Sequence, residues 1–522
     1  MSDTKRTDKN LRKMTERVII SGDLTLLTPA SLGNGDSDGL LDMPLARDAA
    51  EGVPLLTGSS IAGALRNYLR LREQGYRQRE KEADGIAERL FGGLRSKDEG
   101  AQSSLIVDDA WATQTPTEIR DGVRIDPQTR TAQDKKKFDL ELLPSGTTFK
   151  LRFELVITEE HDREALLKAL ALALSGFEQQ DIALGARKRR GFGQCVVEQW
   201  EVTTYKLNEN EGVLSWLASG LNDTAENGWN FQPVETRTGK ATHALNIPLP
   251  DADARQRFTI NAHFALASPL LIRSEEPIPV EHGAEYPDHT HLRSQRPENA
   301  QTPVLPGTSL AGVLRGRAQR ILNTLALAQP ATQGVQEQML DSIFGSDMDR
   351  RPADKYASRL VVKESVIEND AANWLVQQRV GIDRFTGGAY DTALFSEAPL
   401  TGGQVTLQLM LEGNPKGGTY SAYQTNDESR AHHPEVGLLL LLLKDLWTGD
   451  LPLGGTSSIG RGRLRGISAT LADTLSDPPC SWQLDTEQAG NIRISGNSSE
   501  QLEAYVVALH TALGLQHEEA MH

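Results

Sequence analysis

Cysteine is nearly absent: Cys195 and Cys480 are the only two in 522 residues. That excludes a disulfide framework and a multi-cysteine zinc site. Aromatic residues make up only 5%, too few for an extensive base-stacking platform, although Trp111, Phe385 and Tyr390 could each wedge one base. No apolar run reaches the roughly eighteen residues of a membrane span, and Met1–Arg6 leads into no apolar signal segment. The expectation is a soluble, cytoplasmic chain without membrane contact. Positive charge is also in deficit, with a net −16. Such a surface repels polyanions on average, so any nucleic-acid contact must be local.

What is present is repetition. Thr57-Gly58-Ser59-Ser60-Ile61-Ala62-Gly63-Ala64-Leu65-Arg66 returns as Pro306-Gly307-Thr308-Ser309-Leu310-Ala311-Gly312-Val313-Leu314-Arg315, offset by 249 (307 − 58). Leu90-Phe91-Gly92 returns as Ile343-Phe344-Gly345 at 253 (344 − 91), and Val123–Ala132 as Val380–Ala389 at 257 (383 − 126). Ser103–Val107 answers Ser358–Val362 at 255 (358 − 103), and Arg190–Gly193 answers Ile459–Gly462 at 269 (460 − 191). Collinear matches with a slowly growing offset mean duplication, with small insertions in the second copy.

Each copy reads strand, helix, strand, strand, helix, strand. That order describes an α+β, ferredoxin-like unit, which resembles the RNA-recognition fold. The expected organisation is a flexible arm over 1–16, a first domain over 17–204 and a linker over 205–255. A second domain over 256–470 and a strand-helix extension over 471–522 follow. Inside the first domain, strands are expected near 17–27, 104–111 and 149–157, with helices starting at Gly58 and Asp162. The second carries a helix over 434–447 whose six consecutive leucines, Leu438–Leu443, need burial on nearly every side.

The glycine-Ser/Thr-Ser helix start, the Phe-Gly pair, the Ile-Asp-x-x-Thr-x-x-Ala segment and the terminal glycine-rich loop together resemble the RAMP superfamily of CRISPR-associated proteins. Within it, the chain looks like the tandem-fused backbone subunits of type III effector complexes, of the III-D branch, with about four hundred residues covered. The resemblance implies a subunit that lies along a CRISPR RNA and pairs it with single-stranded target RNA. It implies neighbours as well: a large polymerase-like subunit and further RAMP subunits. In catalytic members an Asp before the first helix promotes metal-dependent target cleavage at six-nucleotide intervals, set by a hairpin "thumb" that displaces one nucleotide. The matching thumb regions contain Ile125 and Asp126 in one copy and Ile382, Asp383 and Phe385 in the other.

On the family pattern Asp42 falls at the catalytic position, with Asp36 and Asp38 as further contacts to a divalent metal, Mg²⁺ or Mn²⁺. A carboxylate there can bind a cation that neutralises developing charge while a ribose 2′-hydroxyl attacks in line. An arbitrary loop Asp more often just shapes a turn. The second copy departs from the pattern. Counting back 16 positions from Gly307 lands on His291, whereas Asp288 lies three residues earlier; either the loop is shifted and Asp288 serves, or this copy has only a scaffold role, and we take Asp288 as the second candidate. The expected RNA-backbone contacts are the glycine-loop cations Lys188, Arg189, Arg190, Arg461 and Arg463. The helix starts add Ser59, Ser60, Arg66, Thr308, Ser309 and Arg315. The plain alternative for each arginine is a salt bridge. Rival functions are a non-catalytic RNA scaffold, a metal-independent CRISPR RNA-processing endoribonuclease, or an unrelated duplicated enzyme binding a phosphorylated metabolite.

Overall fold

The structure is a computed structural model describing residues 13–33, 35, 43–76, 85–93, 102–112, 116–126, 129, 131–219, 235–249, 253–274, 286–297, 301–326, 333–346, 355, 357–368, 376–413, 433–487 and 491–515. The chain divides into two compact units. Unit 1 comprises Met1–Arg120, Asp139–Ala186 and Gly193–Arg255; unit 2 comprises Asp121–Phe138, Arg187–Phe192 and Gln256–His522.

In unit 1, alternation in β1 (Met14–Leu26) sends Val18, Ile20, Leu24 and Leu26 to one buried face, the period expected of a half-buried strand. Along the chain follow α1 (Gly58–Gln74), β2 (Leu105–Val107) and the hairpin strands β3 (Glu118–Ile125) and β4 (Ala132–Leu142), whose stretch Asp121–Phe138 belongs to unit 2. Then come β5 (Thr148–Thr158), α2 (Arg163–Glu178) and β6 (Trp200–Lys206). The sheet runs β6-β1-β5-β2, every pair antiparallel. This is the ferredoxin-like order, with the fourth core strand beside the first. Asp162 caps α2 by accepting from the Ala165 amide. Leu166–Phe177 is almost entirely buried apart from Lys168, and each large apolar side chain there contributes about 1.5–3 kcal/mol. Residues 205–255 hold more than a connection: Asn210–Ser219 is helical, and Glu235–Gly239 pairs with β6.

Unit 2 repeats the plan with β7 (Arg257–Leu266), β8 (Arg273–Ser274), β9 (His289–His291), α3 (Gly307–Ala326) and β10 (Leu360–Val362). It continues with β11 (Gln377–Ile382), β12 (Ala389–Ala398), β13 (Gln404–Glu412), α4 (Pro434–Trp447) and β14 (Leu464–Asp473). The core order is β14-β7-β13-β10, again antiparallel. A second small sheet runs β8-β9-β12-β11, with β9 and β12 parallel. Beyond β14 the sheet gains β15 (Cys480–Thr486) and β16 (Ile492–Gly496), and α5 (Ser499–Ala512) closes the unit. The expected extension lacked β15, whose alternating Trp482 and Leu484 are buried. Of the six leucines, Leu438, Leu439, Leu442 and Leu443 are buried, whereas Leu440 and Leu441 are only partly so.

Candidate nucleic-acid interface and cleavage positions

The repeated helix start is a close approach of backbone to backbone. A Cβ on Gly58 would sit 2.3 Å from the Val107 carbonyl oxygen, and one on Gly307 2.4 Å from that of Val362. Glycine is therefore required in both copies. The cap of α1 is Thr57, which accepts from the Ser60 amide, so Ser59 and Ser60 remain exposed. Pro306 takes that place in the second copy, and Thr308 and Ser309 are half-buried. Arg66 and Arg315 are likewise half-buried. Arg315 donates to the Gly345 carbonyl at 2.7 Å and lies 3.6 Å from Asp341.

The glycine loops share their backbone hydrogen bonds. The Leu184 amide bonds the Gly193 carbonyl and the Leu453 amide that of Gly462, while Gly193 and Gly462 donate to Pro29 and Pro269. Both glycines have positive φ, and a Cβ on either would lie 1.8 Å from a leucine carbonyl oxygen. The register makes Lys188–Arg190 equivalent to Ser457–Ile459, each a single 3-10 turn after a left-handed residue, Arg187 or Thr456. The two basic clusters are thus not equivalent. Arg461 corresponds to Phe192 and faces inward, 4% exposed. Its guanidinium donates to Glu397 at 2.7 Å, which corrects its expected role on RNA: the charge is already matched and sealed. Arg463 is exposed, and its side chain has no partner among the described residues.

Within unit 2 the segment Arg187–Phe192 concentrates positive charge. Arg187 lies over the Phe138 ring at 4.3 Å, Arg189 pairs with Glu412 at 2.7 Å, and Arg190 donates to the Phe344 carbonyl at 3.0 Å. Burial, with Arg315 and Arg189 nearby, pushes Arg190 down to about 10. Burial lowers Arg187 as well, and burial with Arg189 lowers Lys188, whose side chain is nonetheless exposed. Cations crowded enough to disfavour their own charge gain most from an arriving anion.

Asp42, Asp36 and Asp38 lie outside the described residues. Their surroundings can still be aligned from the hydrogen-bond register. Ala46 donates to the Leu32 carbonyl, and Leu292 to that of Ile272. Met43 pairs in parallel with Leu140, and His289 with Glu397. Both comparisons place the copies 246 positions apart (292 − 46 and 289 − 43), so Asp288 stands in sequence register with Asp42. Leu55 donates to Ala46 and Val304 to Leu292, which gives a return of nine residues in one copy and twelve in the other (55 − 46; 304 − 292). Those three extra residues are why counting back from the helix lands on His291. That histidine is scaffold. It is 1% exposed, its Nδ1 accepts from the Ile272 amide at 3.2 Å, and Nε2 meets the Val304 carbonyl at 3.1 Å.

Asp288 is exposed. Its Oδ2 accepts from the Ser396 amide at 2.7 Å and hydroxyl at 3.2 Å, and the amide bond foremost holds the carboxyl below its ordinary range. Among the described residues no group of three or more His, Cys, Asp or Glu could cage a metal. One carboxylate with a free oxygen still suits a magnesium-like cation that takes its other ligands from water and phosphate.

The Ile-Asp-x-x-Thr segments are hairpin turns. Asp126 accepts from the Thr129 amide at 2.9 Å, and Asp383 from the Phe385 amide at 2.9 Å and the Thr386 hydroxyl at 3.0 Å. Both aspartates shape their turns, and Asp383 is held below its ordinary range chiefly by the Phe385 amide. The apolar neighbours point outward: Ile125 is 52% exposed, Ile382 61% and Phe385 99%.

The family model of the RAMP superfamily matches residues 23–196 and 263–465. The chain belongs to the RAMP superfamily. One matched segment falls in each copy of the ferredoxin-like plan. A curated relative, the "CRISPR system Cms endoribonuclease Csm3" of Streptococcus thermophilus, is 24% identical over 215 residues, covering 38% of this chain and 96% of that protein. The "CRISPR system Cmr endoribonuclease Cmr4" of Pyrococcus furiosus is 30% identical over 119 residues, covering 23% of this chain and 38% of that protein. No helix among the described residues of this RAMP protein is long and apolar enough to cross a membrane.

Two acidic residues were missed by sequence reasoning. Glu141 ties the end of β4 to the segment after Asp42: it accepts from the Leu45 amide at 2.9 Å and from Arg47 at 2.7 Å. Burial raises its pKa, yet these bonds outweigh that and hold it low. Glu397 is the hub of the second RAMP copy, on the strand beside Asp288. Its signal was an acid directly before the apolar Ala398-Pro399-Leu400 at the end of the hairpin strand, where a buried charge demands partners.

Proposed function

We propose that this RAMP protein is a backbone subunit of a type III CRISPR effector complex that holds CRISPR RNA and cleaves complementary single-stranded target RNA. Each repeat contributes one metal-dependent cleavage position, Asp42 in the first and Asp288 in the second, spaced by thumb hairpins to give six-nucleotide intervals. The observation that supports this reading is the hydrogen-bond register shared by Met43 and Ala46 with His289 and Leu292, by which Asp288 answers Asp42 in sequence despite their different distances from the helix. The relatives named endoribonucleases support the reaction class, and the outward apolar residues of both hairpins suit a wedge between stacked bases.

The chain's own groups have defined parts in this reading. Asp42 and Asp288 would hold a divalent cation, Mg²⁺ or Mn²⁺, which supplies electrostatic stabilisation of the charge that develops on the phosphate. The 2′-hydroxyl oxygen forms the new bond to phosphorus and the bond to the 5′-oxygen breaks. A cyclic phosphate and a free 5′-hydroxyl result. The Ser396 amide fixes the Asp288 carboxylate in its ionised form, ready as a ligand at neutral pH. Lys188, Arg189, Arg190, Arg315 and Arg463 carry the guide backbone without reading sequence. The large polymerase-like subunit and further RAMP subunits complete the assembly.

The test is cleavage of labelled complementary RNA by the reconstituted complex, with Mg²⁺, Mn²⁺ or EDTA, for Asp42→Ala, Asp288→Ala and the double variant. Loss of one product band per single variant, at unchanged target binding, is expected. Survival of every band in all three variants would reduce the chain to an RNA scaffold.

A further inference from the structure

Three arginines from three separate elements converge on one carboxylate at the foot of the second hairpin. Glu397 on β12, 0% exposed, accepts from Arg461 of the glycine loop at 2.7 Å, Arg379 of β11 at 3.1 Å and Arg273 of β8 at 3.3 Å. Arg461 is sealed, with its second nitrogen on Gln377 at 2.5 Å. The Arg379 and Arg273 side chains stay 32% and 51% exposed. Arg379 also lies over the Phe395 ring at 5.5 Å. A carboxylate offers about four acceptor positions, whereas each guanidinium brings about five donors in a fixed fork. Glu397 therefore orients these groups without exhausting them.

The charge does not balance either. Among the described residues the hub holds three cations against one anion. Asp288, a further carboxylate bonded to β12, is engaged by Ser396, whose side chain alternates to the other face of β12 from that of Glu397. The first repeat has no counterpart of this hub: in register Leu140 stands where Glu397 does, Gly122 where Arg379 does and Phe192 where Arg461 does. Preorganised planar donors with surplus positive charge, half open to solvent, suit bidentate contact with phosphate.

We propose that Arg273 and Arg379 form a phosphate-binding site for RNA at the foot of the second hairpin, unique to the second repeat, with Glu397 as its positioning residue. The site rests on the RNA-binding reading above. Guide and target strands present the same phosphodiester, so the experiment separates them.

Binding of the full-length chain to a labelled single-stranded guide RNA, and of the guide-loaded chain to a labelled complementary RNA, is measured by anisotropy from about 50 to 200 mM salt. Each single-strand phosphate contact contributes about 0.7 to the slope of log K against log salt. The Arg273→Ala/Arg379→Ala variant is expected to lose about 1.4 from that slope in one arm, which identifies the strand. The Arg273→Lys/Arg379→Lys variant keeps the charges and is expected to keep the slope. A wild-type slope in both arms for the alanine variant, even with weaker overall affinity, overturns the site while leaving the general RNA-binding reading intact. Failure of the wild-type chain to bind either RNA overturns both.

Discussion

His291 gives a prediction whose size can be worked from its surroundings. The Ile272 amide donates to Nδ1, so the ring proton resides on Nε2 and points to the Val304 carbonyl. A second proton would have to sit on Nδ1, against an N–H, in a site that is 1% exposed. Burial accordingly pushes the imidazole down to about 4, against the backbones of Val304 and Leu270, which favour the charged form. In the unfolded chain the value is about 6.5. A group whose folded pKa lies below its unfolded value supports the fold fully above the unfolded pKa. It withdraws that support as pH falls towards the folded value. Between pH 7 and pH 4.5 the loss from this one residue is about 2–3 kcal/mol, or about 5–10 °C in melting temperature for a unit of this size. His291→Leu places at this position the residue found at the equivalent place in the first copy, Leu45. It is expected to cost about 2 kcal/mol at pH 7, because the Ile272 amide and Val304 carbonyl lose partners. Melting of both proteins from pH 7.5 to 4.5 checks this, since other carboxylates cancel in the difference. The gap between them should close with acid. A constant gap would refute the buried neutral histidine.

Glu397→Ala leaves Arg461 buried without its partner and should destabilise unit 2 by about 3–5 kcal/mol in denaturant titration, whereas Arg273→Ala should cost no more than about 1 kcal/mol. Arg359, 0% exposed and bonded to Glu435, Ser342 and the Glu412 carbonyl, should likewise lose about 3–5 kcal/mol on truncation of Glu435 to alanine. Gly462→Ala forces a Cβ onto the Leu453 carbonyl at positive φ, and a soluble-expression or melting assay should show severe loss of unit 2. Phe385→Ser, at a 99% exposed tip, should change stability by less than about 0.5 kcal/mol and yet alter the spacing of target-RNA products.

The duplication and the α+β plan were legible because both leave local marks. Gly58 and Gly307 must be glycine where the helix crosses a strand backbone, and Gly193 and Gly462 where a loop turns onto a leucine carbonyl. Strand alternation in β1 and β5 and the capped start of α2 are equally local. The basic glycine loops misled because sequence proximity to G-x-G does not say which side of the turn a side chain occupies: Arg461 stands where Phe192 does, facing in. The Glu397 hub was illegible for a different reason. Its partners Arg273, Arg379 and Arg461 are separated by up to 188 positions (461 − 273), and only the sheet order brings them together. Asp288 fell between the two cases. Its type was visible, but its register needed the hydrogen bonds of β9.

The longer return between Leu292 and Val304 acts as slack in a line tied at both ends. Length can accumulate there after a duplication without moving either knot, so distance along the chain and phase along the strand drift apart. In any duplicated protein built this way, the functional acid is better sought by stepping forward from the preceding strand than by stepping back from the helix. A catalogue anchored on the helix glycine would score the second half of such a chain as having lost its acid, and would miscount active halves wherever that slack had grown.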